Sequence, residues 1–233
     1  MRLGQRLRLP EIMDDPGLDP REHAKALRGL ARLNLLSRSV SATWQQLKRM
    51  LPAGSHPTTL LDLATGGGDL PIALARKATA SGIELQVSGC DISPVAVKFA
   101  QQSALNQNVN ARFFVHDALH QPFQETFDFV TANLFFHHLS DEEAVSLLGT
   151  MRSIARRGIL INDLSRAYGW YGLVWLGSRI VTTSYVVHVD GPRSIAASFT
   201  PREFSSIARR AGLEDGKIHI RWPARFLYTW AKS

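Results

Sequence analysis

From Thr58 onward, short apolar runs alternate with segments whose apolar residues recur every three or four positions. A short apolar run bounded by turn formers reads as a buried strand, and the longer spacing reads as a helix with one buried face. Strands are expected at Leu60–Ala64, Leu85–Cys90, Ala111–His116, Phe127–Asn133 and Gly158–Asn162. Helices are expected over Leu70–Thr79, from Ser93-Pro94 to near Leu105, and from the capping box Ser140-Asp-Glu-Glu143 onward. Hydroxyl N-caps and proline in the first turn both favour helix starts. Tyr168–Thr182 reads as a helix lying over the open end of the sheet, and Thr200-Pro-Arg-Glu203 opens another that ends near Gly212. Lys217–Trp222 and Arg225–Trp230 read as closing strands, and the tight Pro223-Ala224 link makes them antiparallel. Strands alternating with helices imply a parallel sheet covered on both faces. The expected fold is therefore α/β, a doubly wound seven-stranded sheet, mostly parallel with a C-terminal antiparallel hairpin.

Before this alternation the chain reads as helical. Asp19-Pro20 supplies an N-cap and a first-turn proline, and Leu27, Leu30, Leu33 and Leu36 follow at helical spacing. A second helix is expected over Ser41–Met50 with Trp44 and Leu47 on one face, then a linker from Pro52 to Pro57. The expected organisation is an N-terminal helical lid or substrate region over residues 1–55. A ligand-binding domain follows over 56–233, with a lid insertion around 165–200. Within that insertion His188–Phe199 contains Gly191-Pro192 and little periodicity, and reads as a mobile loop.

Composition narrows the class. With 45% hydrophobic and 20% charged residues, the chain has the makings of an ordinary globular core, not of a disordered, collagen-like or coiled-coil protein. The lone cysteine, Cys90, excludes an intramolecular disulfide, and a reducing, cytoplasmic setting is expected. Met1–Pro10 lacks the apolar stretch of a signal peptide. Tyr168–Val189 is apolar but interrupted by Arg179, glycines and serines, which makes a poor membrane span. It suits a pocket wall or peripheral contact with lipid. A net charge of +7 permits a nucleic-acid, membrane or anionic partner. Much of the excess lies before Arg49 and after Arg202, without a nucleic-acid motif, so it reads as a solvated basic surface.

The segment Leu60-Leu-Asp-Leu-Ala-Thr-Gly-Gly-Gly-Asp-Leu70 runs from a strand through a glycine turn into a helix. Glycine permits positive φ and close approach of a ligand to the backbone. The turn sits at the carboxyl end of the first strand, where open α/β sheets bind ligands. Asp62 is placed to fix the loop by accepting backbone hydrogen bonds, and a ligand-free glycine turn is the plain alternative. Asp91 ends the second strand, about 20 residues past the glycines, where a carboxylate accepts from both ribose hydroxyls. It is equally placed to start the helix at Ser93-Pro94. Asp117 follows the third strand and suits either an adenine amino group or a simple loop.

Together these features resemble the class I methyltransferase family that uses S-adenosylmethionine (SAM), over roughly Leu60–Asn162 and, with the closing hairpin, to the C-terminus. The resemblance implies a Rossmann-like fold. It implies that Gly66, Gly67 and Gly68 pass beneath the methionine part of SAM, with Ala64 in the same loop. Asp91 would hold the ribose, Ile92 would pack on adenine, Asp117 and Ala118 would meet the adenine edge, and Asn133 would face the methionine end. The family often has glycine where this chain has Ala64. The run Asp-Leu-Ala-x-Gly-x-Gly-Asp-Leu is similar to the branch that methylates ubiquinone and menaquinone precursors, and Asn34, Ser37 and Trp44 echo that branch's cofactor lid. NAD is disfavoured, because the third glycine of its G-x-G-x-x-G fingerprint falls on Pro71.

The fourth strand ends in Asn133-Leu-Phe-Phe-His-His-Leu139. Methyl transfer is an in-line displacement in which orientation of the acceptor is the main requirement. A phenolic acceptor gains nucleophilicity on losing its proton, and histidine is suited to take it, so His137 and His138 are the catalytic candidates. Core packing and lining of the cofactor pocket are their plain alternatives. Asn162-Asp163 follows the fifth strand, a position where some catechol methyltransferases hold magnesium. Asn133 in place of an aspartate and the absence of a cysteine–histidine cluster argue against a metal. Phe135, Phe136, Tyr168, Trp170, Tyr171, Trp175 and Tyr185 are candidates for an aromatic pocket wall, and Arg193 for contact with an anionic group. These residues point to methyl transfer to oxygen or carbon of a small aromatic or quinone-like acceptor. An RNA or protein methyltransferase is the second reading, weakened because Asn133-Leu-Phe-Phe136 lacks the prolines of amine-directed enzymes. A non-catalytic scaffold is the third, weakened by the intact glycine loop and ribose acid.

Overall fold

The computed structural model describes residues 4–15, 17–36, 38–51 and 57–232, apart from the side chains of residues 14, 30, 31, 34, 35, 36 and 168. Five strands run parallel: β1 (Thr58–Leu63), β2 (Leu85–Asp91), β3 (Ala111–Val115), β4 (Phe127–Asn133) and β5 (Ala155–Leu164). The hairpin β6 (Lys217–Arg221) and β7 (Arg225–Ala231) closes the sheet, with β7 antiparallel to both β5 and β6. The spatial order is β3-β2-β1-β4-β5-β7-β6. The order reverses between β1 and β4, and ligands bind beyond the carboxyl ends of the strands at such a switch point.

Both faces of the sheet are apolar because its strands are buried on both sides. Leu60, Val87, Phe129 and Leu160 share one face, covered by α2 (Ser39–Met50) and α3 (Asp69–Ala80) through Trp44, Leu47, Leu70 and Leu74. Leu61, Leu63, Val130, Ala132, Ile159 and Ile161 share the other. That face is covered by α5 (Asp141–Ile154) and α8 (Pro201–Arg210) through Leu147, Leu148, Met151, Phe204 and Ile207. Full burial of each large side chain contributes about 1.5–3 kcal/mol. Toward the β3 edge, Val97, Ala100 and Ala104 of α4 (Pro94–Asn106) pack with Phe113 and Ile72. The capping boxes at Ser140 and Thr200 are formed, and the Ser93 hydroxyl caps α4. Cys90 is fully buried, and burial pushes its thiol up to about 12, so it is inert.

A second group of helices forms a cover: α1 (Pro20–Leu36), α6 (Tyr168–Val181) and α7 (Tyr185–Ala197), with a short 3-10 turn at Ile12–Asp14. Ala26, Val186 and Val187 form its core, with Ile12, Met13, Leu18 and Leu33 around them. The Asp19 carboxylate accepts from the Arg21 amide at 2.7 Å and caps α1. At Gly29 a Cβ would lie 2.6 Å from Oγ1 of Thr182, so glycine lets α1 approach the α6–α7 junction.

The structure corrects two expectations. The segment 188–199 is not a loop, because α7 runs through Gly191-Pro192 to Ala197. An interior proline costs a helix about 3 kcal/mol. Burial of Val186, Val187, Ile195 and Ala196, with two backbone amides donated to the Asp190 carboxylate, offsets that cost. The helical region before residue 55 also divides. Trp44 and Leu47 place α2 in the sheet's own core, and only α1 joins the cover. Trp44 therefore packs in the sheet's core and not with the cover; the side chain of Asn34, Ser37 and nearly all of the 52–57 linker lie outside the described residues. Among the described residues no helix is long and apolar enough to cross a membrane.

Candidate active site

β1 carries the chain into the turn that begins at Ala64, where Ala64, Gly66 and Gly68 have φ of 48°, 54° and 77°. Positive φ is natural for glycine and strained for alanine, so Ala64 holds a conformation that costs about 1–2 kcal/mol. The three glycines serve different ends. A Cβ at Gly68 would meet Phe113 at 2.9 Å and Ala100 at 3.0 Å, and one at Gly67 would meet Phe99 at 3.2 Å. Those two permit packing of α4 and β3 against the loop. A Cβ at Gly66 would meet only Leu27 of α1, at 4.0 Å, so Gly66 presents open backbone beneath the cover.

Asp62 fixes this loop from below, by a different device from the one expected. Its carboxylate accepts from side-chain hydroxyls, Thr65 at 2.8 Å and Thr131 at 2.6 Å. Burial raises its pKa to about 6, with the two hydroxyls opposing the shift and Asp91 and Asp69 adding to it.

Asp91 faces the loop. Its Oδ2 accepts from the Gly66 amide at 2.8 Å and its Oδ1 from the Ser93 amide at 2.9 Å. The helix cap is Ser93, so Asp91 joins the glycine loop to the start of α4 and keeps one lone pair on each oxygen. Ile92 beside it is 67% exposed, an apolar shelf open to solvent. The Asp117 carboxylate accepts from the amides of Leu119 and His120, and its Oδ2 lies 2.8 Å from the His120 ring. The Ala118 methyl packs in the core.

At the ends of β4 and β5, Asn162 donates to Oδ1 of Asn133 at 2.6 Å, while Oδ1 of Asn162 is buried without a partner. Leu134 follows with φ of 56° and donates its amide to the Asn162 carbonyl at 2.9 Å. A bulky residue in the left-handed region marks a turn held by its surroundings, as binding sites often are.

The histidines occupy the next turn, Phe136–His138. Nδ1 of His137 lies 2.7 Å from Oδ1 of Asp163, and its amide donates to Oδ2 at 3.3 Å. Burial works against the Asp163 charge, but His137 and the Leu164 amide outweigh it and hold the carboxyl below its usual range. Over this turn lies the N-terminal segment. Arg6 donates to the carbonyls of Ala197 and Leu139 at 2.8 and 2.7 Å and stacks on Phe199, and Arg8 donates to the His138 carbonyl at 3.0 Å. Glu11 reaches both histidines, 3.9 Å from each Nε2, and accepts from the Ser194 hydroxyl. The His137 side chain is 4% exposed, so this imidazole is enclosed by carboxylates and is not open to an acceptor. Glu11 was missed by sequence reasoning, since nothing local in the chain marks its approach to the turn after β4. Asp163 was considered only as a magnesium ligand; its partner is a histidine.

The aromatic candidates separate. Phe136 is fully buried against Phe204, with ring centroids 5.3 Å apart, and belongs to the core instead of a pocket wall. Arg193 donates to the Pro10 carbonyl at 2.9 Å and lies beside Asp190, so it pins the N-terminal segment and is not poised for an anionic acceptor. Trp175 is 46% exposed on α6 with the Arg179 guanidinium stacked on it. Tyr171 and Trp170 are half-buried on the same helix, Tyr185 is exposed at the start of α7, and Phe135 is half-buried beside the His138 ring. The side chain of Tyr168 lies outside the described residues.

Residues 60–158 match a family described as a methyltransferase domain. A demethylmenaquinone methyltransferase of Thermus thermophilus is 31% identical over 190 residues, which cover 76% of this chain and 84% of the relative. The chain belongs to the class I SAM-dependent methyltransferases. Within that family a ubiquinone/menaquinone biosynthesis C-methyltransferase of Rickettsia bellii is 24% identical over 78% of each chain. The fold matches that of magnesium protoporphyrin IX methyltransferase from Synechocystis with bound S-adenosylhomocysteine, at a TM-score of 0.62 and 18% identity, covering 95% of this chain and 91% of that one.

The residues present fit the methyltransferase cofactor. Gly66 offers open backbone, Asp91 has lone pairs for a diol, Ile92 is an exposed apolar shelf, and Asn162 Oδ1 is a buried acceptor awaiting a donor. When bound, SAM supplies an activated methyl group on a sulfonium centre. Pro71, buried in the first turn of α3, stands where a dinucleotide site needs its third glycine.

Proposed function

We propose that this enzyme methylates a ring carbon of a small reduced aromatic acceptor of the quinol type. The observation that carries the reading is the extent of the likeness to the demethylmenaquinone enzyme. At 76% of the chain it runs beyond the 60–158 segment that matches the methyltransferase-domain family. A C-methyltransferase among the relatives favours carbon over oxygen as the accepting atom. In this reading Gly66, Asp91, Ile92, Asp117 and Asn133 hold the cofactor, and α1, α6 and α7 cover it and the acceptor. Half-buried Tyr171 and Trp170 suit a flat apolar ring. The ring hydroxyls of a quinol themselves supply electron density to carbon, so the protein's task is orientation and exclusion of water. With SAM bound, the ring carbon would take the methyl group as the carbon–sulfur bond breaks and S-adenosylhomocysteine leaves, and the ring proton would pass to solvent or buffer to restore aromaticity.

The test is incubation with SAM and a dithionite-reduced demethylnaphthoquinone, with catechol and a structured RNA as parallel acceptors. Mass spectrometry and carbon NMR of a labelled methyl group read the product. A carbon-bound methyl on the naphthoquinol ring is expected. A methyl ether, or methylation of catechol or RNA alone, overturns the reading.

A further inference from the structure

We propose that Glu11, His137 and His138 form a binding site for one divalent transition-metal ion of the zinc type. One ligand atom from each of these side chains lies within 4.8 Å of the other two. Nε2 of His137 is 3.9 Å from Oε1 of Glu11, and Nε2 of His138 is 3.9 Å from Oε2. Zinc bonds of about 2.0–2.2 Å in tetrahedral array set ligand atoms roughly 3.3 Å apart, so each Glu11–histidine contact needs to close by about half an ångström and the widest separation in the group by up to about 1.5 Å.

The surroundings favour a cation over a simple ion pair. Asp163 Oδ1 lies 2.7 Å from Nδ1 of His137, so an Nδ1–H donated to Asp163 would leave Nε2, on the Glu11 side, as the ligand atom. A carboxylate behind a histidine in this way is the usual support of a metal ligand. Glu11 and Asp163 bring two negative charges to the histidines, and both are nearly buried. The adjacent guanidinium groups of Arg6 and Arg8 are themselves paired, with Asp141 and Glu143. Imidazole donors suit zinc and its first-row neighbours, whereas magnesium and calcium take oxygen ligands. Three protein ligands leave one tetrahedral position for water or another oxygen donor. The ion would join the N-terminal segment to the turn after β4, two parts of the chain that share no element of secondary structure.

The experiment uses tag-free full-length protein, stripped with chelator and dialysed to equilibrium against buffered zinc, with bound metal measured by atomic emission. One zinc per chain is expected. Glu11→Gln and His138→Gln each weaken binding by about tenfold or more, while His219→Gln, a histidine outside the cluster, does not. His137 is left intact because it is buried against Asp163, and circular dichroism confirms that the variants fold. Cobalt in place of zinc gives a visible spectrum of tetrahedral type that Glu11→Gln alters. No stoichiometric zinc in the wild type, or equal binding by all three variants, overturns the proposal. Metal content is read without methyl transfer, so either result leaves the acceptor assignment standing or falling on its own test.

Discussion

Replacing Asp62 by asparagine should stabilise the enzyme, and by an amount that depends on pH. Asp62 is a carboxyl group in the floor of the glycine loop, fully buried, with two threonine hydroxyls as partners. Its pKa rises from 3.8 to about 6 because burial penalises the carboxylate, against the two hydroxyl hydrogen bonds. A carboxyl whose folded pKa is raised favours the folded state when protonated. That stability is fully present below the unfolded pKa and is lost as pH rises through the folded one. Each unit is worth about 1.4 kcal/mol, so the two-unit rise corresponds to a penalty of order 3 kcal/mol once both states are ionised. Asparagine has the same shape, never ionises, and can still pair with both hydroxyls, which rotate to donate or accept. Urea unfolding followed by tryptophan fluorescence gives the stability of each protein. The advantage of Asp62→Asn should grow by about 2 kcal/mol between about pH 4.5 and about pH 8, the window that spans most of the shift. Carboxylates distant from Asp62 cancel in the difference between the two proteins, whereas Asp91 and Asp69 are coupled to it and contribute to the measured change. A difference that stays constant across this range, or shrinks as pH rises, would refute the claim that Asp62 is a buried ionised group held against its own desolvation.

Two further substitutions probe the loop from its other sides. Asp91→Ala should weaken SAM binding in calorimetry by about 1–3 kcal/mol, since it removes a hydrogen-bonding carboxylate and frees the Gly66 amide; unchanged affinity in a folded variant would remove Asp91 from the site. Ala64→Gly should raise thermal stability by about 1 kcal/mol by relieving the positive φ at that position, and a lower melting temperature would show that the alanine methyl contributes more in packing than the backbone loses in strain.

The strands, most of the helices and the glycine loop were legible because their causes are local. Leu60–Leu63 alternates between two buried faces, Ser140 and Thr200 carry complete capping boxes, and the glycines of the loop stand next to one another in the chain. That Asp91 meets the glycine loop was legible because the length of one strand–helix–strand unit fixes its distance from those glycines. Local signals failed where long-range packing decides. Gly191-Pro192 reads as a helix break, yet buried neighbours and the Asp190 contacts with Ile12 and Met13 hold it helical. Phe136 and Trp44 read as ligand-facing aromatics, and the sheet's two cores claimed them.

The sequence by itself thus determined the α/β architecture, the glycine loop and the carboxylate beside it, because periodicity, caps and turn residues act over a few positions and a strand–helix–strand unit has a narrow range of lengths. Only the tertiary structure decided that Gly66 alone of the three glycines faces open space, that Asp62 is held by hydroxyls, and that Glu11 meets His137 and His138. Those contacts join residues from distant elements. Their distances are set by how the cover and the N-terminal segment pack on the sheet, and no local pattern in the chain encodes that arrangement.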